Sequence, residues 1–580
     1  MRSWKRALWG LAALAGSVAC SSRVGSDAAT AAPRADTPTK TLQATVAVGD
    51  SGMVVSAAPL ATEVGVRVLR AGGNAVDAAV AVAFALSVVY PTAGNIGGGG
   101  FLLARMGGTS SAVDFREVAP LAATRDMYLD STGEVTDASL TGALAAGVPG
   151  SVAGLWAAHQ KLGSRPWREL LQPAIDLADS GFAADAAFSE DLSGEWPRLA
   201  LFPSSVALFG SHGNPWPEGA TWKSPELART LRLIAEKGPR GFYEGETAER
   251  IVTQMKQSGG RITLEDLRRY RPKWRTPVGF DYRGYHVLTM PPSSSGGLTI
   301  ALVFGILGGL DLRAMGWHSA EAIHAVAESE RMAFARRNTL LADPDFYPTP
   351  SAAFLSPDTA AALRASIAPV ASKTAPPAPL PGTGHHTTHF SIVDAHRNAV
   401  SMTTTLNESY GSGLVVAGAG FLLNDEMDDF TTKVGAINAM GLRQGDRNAI
   451  QPGKRMLSSM TPTIVLDSTG GVFLVVGAAG GARIITAVAQ IISNVVDFRM
   501  PIGEAMAAPR FHAQDYPDSL LMSDVGYSDD VLRALGERGY HVELVPDRGW
   551  QLAWAQSILR SGGRWEGVSE PRGSGFAAGY

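Results

Sequence analysis

The chain has 580 residues, 45% hydrophobic and 18% charged, and its 50 basic against 54 acidic residues leave a formal charge of −4. A chain of this length buries a large core, in more than one domain or in one intertwined unit. It has no basic excess to neutralise phosphates, which argues against nucleic acid as a partner, and its single cysteine, Cys20, excludes an internal disulfide.

The first element is a targeting signal. Arg2, Lys5 and Arg6 form a positive n-region, and the apolar run "ALWGLAALAGSVA" is shorter than the ~20 residues of a spanning helix. Residues 1–20 are therefore expected to be a signal peptide of lipoprotein type. "SVAC" has the form of a bacterial lipobox, with Ser17 where an aliphatic residue is more usual. Cys20 would carry the lipid; cleavage near Ala19 or beyond without lipid is the alternative. The protein is expected to be exported to the periplasm and anchored to the membrane only through this N-terminus. Residues 21–43, rich in Ser, Ala, Thr and Pro, read as a flexible tether.

Ala58 to Pro91 predicts two helices, with Gly72 and Gly73 at the left-handed turn between them. The second is apolar nearly all round and should be buried. "GNIGGGGFLLARM" predicts a glycine hinge running into a strand, and "SAVDFREVAP" a second strand. Residues 160–275 carry mixed helical patterns. "RTPVGFDYRGYHVLTMPPSSSGGLTIAL" predicts strand, tight turn and helix entry, and residues 318–343 a helix rich in Ala, Glu and Arg. Residues 371–386 form a Pro-rich linker. Beyond it, "HFSIVDAHRNAVSMTTTLN" alternates with period 2 across a turn near Ala395 to Asn398. "TPTIVLDSTGGVFLVVGAAGGARIITAVAQIISNVV" predicts strand, turn at Ser468 to Gly471, strand, Gly-Gly and helix. Strand pairs interleaved with helices predict sheets covered by helices.

The stretch "GTGHHTTHFSIVD", Gly382 to Asp394, joins that linker directly to a buried strand. A threonine hydroxyl is a weak nucleophile and needs a neighbouring base. Cleavage between His386 and Thr387 would give Thr387 a free α-amine, with a pKa of about 7.7–8.0. One residue would then supply both nucleophile and base, and its β-branch holds Oγ in few positions. Independently, a strand end followed by Gly480, Gly481 and a helix start places backbone N–H groups where an oxyanion could form. "GNIGGGG" lacks the GK[ST] ending of a phosphate loop, and its glycines read as positions of close packing. His385, His386 and His389 raise a metal hypothesis; two lie in the linker, and His389 alternates along a strand as a core residue would. "NDEMDDF" lacks the spacing of an EF-hand calcium loop.

"HHTTHFSIVD", "TLNESYGSG", "LLNDEMDDF", "KRMLSSMTPTIV" and "GAAGGARII" resemble, in order and spacing, the gamma-glutamyltranspeptidases, also called glutathione hydrolases. "AGGNAVDAAVA", "GGGGF", "DFREVAP", "GVPGSVAG", "MPPSSSGG" and the closing "AAGY" match too, so the resemblance runs from about Val46 to Tyr580. It implies an α+β fold, the αββα four-layer sandwich of N-terminal-nucleophile hydrolases. After autocleavage that fold is built from two intertwined subunits, here 44–386 and 387–580. The implied substrates are glutathione and other γ-glutamyl compounds, with water or an amino acid or peptide as acceptor, and no cofactor or metal.

By position, the resemblance implies Thr387 as nucleophile and Thr405 as the hydroxyl that assists it. Gly480 and Gly481 would form the oxyanion hole. Arg116 would clamp the substrate carboxylate with Ser458 and Ser459; Asn407, Glu426 and Asp429 would hold its ammonium. From the residues alone, Arg116 could equally be paired with Asp114 or Glu117, and Thr405 could be an ordinary strand residue. Three positions depart from the commonest pattern: Met440 stands in the lid loop "VGAINAMGLRQGDRN" where many members have Tyr, Glu426 where some have Gln, and Glu570 where Asp is frequent. With Met440 the sequence leaves open whether the loop closes; a looser lid would admit bulkier acceptors or leaving groups. The rival activities are a glutaryl-type cephalosporin acylase of the same fold, which needs no ammonium site, and an inactive amino-acid-binding lipoprotein.

Overall fold

A computed structural model describes residues 42–373 and 387–580. The expected signal peptide, Cys20 and most of the tether lie outside the described residues, as does most of the Pro-rich linker with His385 and His386.

Runs of alternating side chains make the framework. Along a strand successive side chains point to opposite faces, so a strand covered on both sides must be apolar on both. In chain order the main strands are β1 (Ala47–Gly49), β2 (Met53–Ser56), β3 (Gly99–Met106), β4 (Thr109–Asp114), β5 (Lys273–Arg275), β6 (Val278–Tyr282) and β7 (Tyr285–Thr289). They continue with β8 (Thr387–Val393), β9 (Ala399–Thr405), β10 (Thr463–Leu466), β11 (Val472–Ala479), β12 (Trp554–Ser561), β13 (Arg564–Ser569) and β14 (Phe576–Gly579). Among the described residues these build two seven-stranded sheets, ordered β14-β2-β8-β9-β3-β4-β5 and β1-β13-β12-β11-β10-β7-β6.

In the first sheet Val54, Leu102, Val113, Phe390, Ile392, Val400 and Met402 join a core shared with two helices, α1 (Pro59–Arg70) and α2 (Ala75–Val89). Their neighbours Met53, Val55, Phe101, Leu103, Ala112 and Ala399 face the other way, into a core with Ile464, Leu474 and Val476 of the second sheet. On the far side of that sheet lie α3 (Gly296–Leu307), α4 (Ala320–Leu340) and α5 (Arg483–Val496). The order is helix, sheet, sheet, helix: the αββα arrangement.

The expected helices and hairpins form. α2 is buried along its whole length. Its N-terminus is capped by Asn74, paired with Asp77 in a capping box, and Ala75 N–H donates to the Asp394 carboxylate at 3.0 Å. Asp394 belongs to the turn between β8 and β9, where its Oδ1 accepts the N–H groups of His396 and Asn398. Gly72, at φ 85°, makes the turn before α2. One strand is shorter than the pattern "SAVDFREVAP" predicts. β4 stops at Asp114, whose carboxylate receives Arg275 at 3.2 Å and Arg455 at 3.3 Å. Phe115 still exchanges hydrogen bonds with Gly100 of β3, and the chain leaves the sheet at Arg116.

Between the sheets His389 lies with Nδ1 2.8 Å from Thr403 Oγ1 and Nε2 3.1 Å from Ser391 Oγ. Burial pushes its pKa down to about 3, so the ring is a neutral core residue. Opposite it stands Gly477, where an added Cβ would lie 2.3 Å from the ring. Gly477→Ala should therefore lower stability by about 1–3 kcal/mol, the usual cost of overpacking, and His389→Ala in the same chain should recover part of the loss. Thermal melting of the single and double variants reads this; an unchanged melt for Gly477→Ala contradicts the packing.

Candidate active site

Antiparallel pairing of β8 with β9 sets Thr387 directly opposite Thr405. Both are buried, and the Thr387 hydroxyl donates to Thr405 Oγ1 at 3.3 Å. Thr405 Oγ1 also accepts the Asn407 N–H at 2.9 Å. Asn407 itself holds φ at 82°, an uncommon value outside glycine, and its amide donates to the Asp425 carbonyl at 3.2 Å. The glycine run is pressed against the back of this pair. A Cβ on Gly98 would sit 2.1 Å from the Thr405 carbonyl oxygen, and one on Gly100 2.4 Å from that of Thr403. Asn95 secures the contact by donating to the Thr405 carbonyl at 2.9 Å. The expected close packing is what these glycines permit.

Arg116 enters from the loop after β4. It is fully buried, and its two terminal nitrogens bind Glu426 and Asp429, which share a short 3-10 turn. Its backbone N–H is held by Asp114 at 3.1 Å, while Glu117 stands 3.7 Å from Nη1. Burial opposes the charge on Arg116, but Glu426, Asp429 and Glu117 hold its pKa above the ordinary value. Glu117 is fully buried; burial lifts its pKa to about 7 against the pull of Arg116. Neither of its oxygens has a hydrogen-bond partner among the described residues.

The acidic turn is held by amides that sequence reasoning did not single out. Asn424 donates to the Gly97 and Gly147 carbonyls at 2.8 and 2.9 Å and accepts the N–H groups of Gly147 and Glu426 at 2.9 and 3.1 Å. Gln444 and Asn448 donate to the Asp429 carbonyl at 2.9 and 2.7 Å.

Ser458 and Ser459 run beside the segment Ser293–Ser295, whose backbone exchanges hydrogen bonds with Ser458. Ser458 Oγ accepts the Met460 N–H at 3.1 Å, and Ser459 Oγ accepts Arg337 Nη2 at 3.0 Å. Between β11 and α5, Gly480 and Gly481 hold φ at 134° and 59°, values open to glycine. The lid loop is not loose. Asn438 donates to Asp429 at 3.1 Å, Ala439 N–H to Asp428 at 2.9 Å, and buried Met440 lies where a Cβ on Gly481 would stand 2.4 Å from its sulfur. Met440 packs against Gly481, and Asn438 supplies the polar tie of the loop.

One cavity is lined by Arg116, Thr387, Thr405, Asn407, Glu426, Asp429, Ser458, Ser459 and Gly481, together with Met440, Met460 and Ile484. Of the described residues anticipated for the site, only Gly480 stands outside the lining; it backs onto Ala553. His386 and Cys20 lie outside the described residues. Asn424→Ala should leave the buried N–H groups of Gly147 and Glu426 without acceptors, at about 1–3 kcal/mol each. The expected result is a lowered melt together with reduced turnover as the acidic turn shifts. A variant that melts like the parent chain contradicts this role.

Comparison with known proteins agrees with the geometry. The family model for gamma-glutamyltranspeptidase matches residues 61–580. The glutathione hydrolase proenzyme of Pseudomonas sp. (strain A14) is 46% identical over 551 residues, 92% of this chain and 94% of that one. A solved structure of cephalosporin acylase from Bacillus halodurans superposes with a TM-score of 0.82 at 26% identity, covering 92% of this chain and 97% of that one. The gamma-glutamyltranspeptidase of Helicobacter pylori superposes with a TM-score of 0.53 at 42% identity, over 54% of this chain and 90% of that one. With its sandwich fold and a family match along nearly nine-tenths of its length, the chain belongs to the gamma-glutamyltranspeptidase family.

Proposed function

We propose that the chain is cut between His386 and Thr387 and then hydrolyses and transfers γ-glutamyl groups through an ester on Thr387. The observation that carries this is the gathering of Thr387, Thr405 and Gly481 with a buried cation and two buried carboxylates around one cavity. The new α-amine of Thr387 takes the proton from its own hydroxyl, directly or through a water. Thr405, one hydrogen bond away, orients that hydroxyl. Oγ attacks the γ-carbonyl of the donor, and the backbone N–H groups of Gly480 and Gly481 receive the developing oxyanion. The C–N bond breaks, and the proton goes to the leaving amine, cysteinylglycine in the case of glutathione. Water gives hydrolysis of the ester; an amino acid or peptide amine gives transfer. Each step balances with the chain's own groups and needs no cofactor.

The donor's headgroup carries one carboxylate and one ammonium. Arg116, Ser458 and Ser459 are the matching donors for the first, and Asn407, Glu426 and Asp429 the acceptors for the second. The two subunits, 44–386 and 387–580, stay together because each sheet contains hydrogen-bonded strands from both. Export is the reading the N-terminal sequence supports, with either lipid on Cys20 or simple cleavage near Ala19.

Thr387→Ala should run as one uncut chain on a denaturing gel, with turnover lowered more than roughly 10³-fold, while the parent chain gives two bands. An active parent chain that remains uncut would falsify the mechanism. Likeness to a cephalosporin acylase favours a second reading, glutaryl transfer. That donor has no ammonium, and two buried carboxylates in the cavity would then have no ligand charge to meet. A γ-glutamyl anilide should be preferred over its glutaryl analogue by about 10–100-fold, the range expected for hydrogen bonds to a charged group, and Asp429→Ala should erase most of the preference. Equal rates on both donors would favour the acylase.

A further inference from the structure

We infer that Arg337 is a positioning residue: it sets the direction in which the Ser459 hydroxyl and the Gln444 amide point, and so orients the carboxylate side of the substrate cavity. This rests on the γ-glutamyl reading and deepens it.

Arg337 lies near the end of α4, fully buried. A guanidinium removed from water is costly unless it is paired. Here no carboxylate lies within 4.0 Å of it among the described residues; every acceptor is neutral. Nε donates to Ser295 Oγ at 2.9 Å, Nη1 to Asn338 Oδ1 at 2.7 Å and Gln444 Oε1 at 3.0 Å, and Nη2 to Ser459 Oγ at 3.0 Å.

A guanidinium donates and never accepts, which fixes the sense of each bond it makes. A hydroxyl has one proton and two lone pairs. With one lone pair of Ser459 facing Arg337, the proton of Ser459 is left to point elsewhere, and Ser459 lines the cavity. Gln444 is constrained in the same way. Its oxygen faces Arg337, so its NH2 is the group directed at the Asp429 carbonyl, 2.9 Å away. Ser295 receives Arg337 and passes its own proton to the Ser458 carbonyl at 2.6 Å. One buried cation thus orders four short chains of hydrogen bonds; three end at Ser458, Ser459 and Asp429, and the fourth runs through Asn338 to Asp515 at 2.7 Å. A neutral side chain in its place would leave the Ser459 hydroxyl free to turn its proton inward and present a lone pair to an anion.

The test uses the processed enzyme and two donors, a γ-glutamyl anilide and 4-aminobutanoyl anilide, which lacks only the α-carboxylate. Arg337→Met should raise KM for the first about tenfold or more, with kcat altered less than about threefold. Its kcat/KM for the second should stay within about twofold of the parent, because Asn448 holds the Asp429 carbonyl at 2.7 Å independently of Arg337. Ser459→Ala should produce the same split, and the double variant should add little to either single one. Arg337→Lys, which keeps the charge and one donor, should fall between parent and Met; it also carries the test if the Met variant does not mature. Equal losses on both donors, or additive effects of Arg337 and Ser459, overturn the inference while the γ-glutamyl reading stands. If Ser459→Ala leaves KM for the γ-glutamyl donor unchanged, the headgroup assignment fails and the inference with it.

Discussion

The pairing of β8 with β9 is the constraint on which the site depends. It seats Thr387 at the first position of a central strand and Thr405 at the last position of its neighbour, so the hydroxyl pair is a consequence of register. A slip of one residue would turn the whole strand over. Register is locked on both faces. Phe390 and Ile392 face the helices, while His389 and Ser391 face the second sheet, where His389 fills the space that Gly477 leaves. On the other side β9 pairs with β3, and the glycines at the start of β3 let its backbone come close enough to hold Thr403 and Thr405 from behind. Thr387 is fixed in place because three layers of packing agree on where its strand lies.

Charge organises the rest of the cavity. Arg116 could satisfy its guanidinium with any carboxylate, and the sequence offers Asp114 and Glu117 as neighbours. Asp114 is already occupied by Arg275 and Arg455. The terminal nitrogens are left to Glu426 and Asp429, 310 residues and more along the chain, which brings cation and anions to one wall. Removing one member of such a buried set typically costs about 3–5 kcal/mol, since the remaining charge has no water to turn to. The same arrangement suits a zwitterionic headgroup, whose two charges match those already opposed in the wall.

Much of this was legible in the sequence, for identifiable reasons. The β8–β9 hairpin is short-range and has a clean period of two. The all-apolar face count of α2 announced its burial. The candidate residues came from motifs whose order is preserved, and all but Gly480 among those described line one cavity. What stayed hidden depends on distant partners. Nothing in the pattern of residues 318–343 separates Arg337 from its neighbours; it is singled out by acceptors at 295, 338, 444 and 459, which the fold brings together. Asn424 and Asn448 read as loop residues until their amides are seen to hold the acidic turn. The end of β4 is not marked in the sequence, since no glycine or proline interrupts "SAVDFREVAP" before Pro120; Phe115 still pairs with Gly100, and Asp114 gathers Arg275 and Arg455 from two other segments.

The loop carrying Met440 is held without any polar group on that side chain. Met440 has no donor to offer across the cavity, and the sequence leaves the closure of the loop open. The loop is instead secured one and two residues earlier, by Ala439 N–H on Asp428 and Asn438 on Asp429, and its Asn438 Oδ1 also receives the N–H groups of Met440 and Leu442. Anchored there, Met440 needs only to fill space, and an unbranched thioether adapts to the surface of Gly481. Because the anchors sit on Asp428 and Asp429, any movement of the acidic turn is transmitted to the loop. The position of this loop and that of the acidic turn lining the cavity are therefore linked through Asp428 and Asp429.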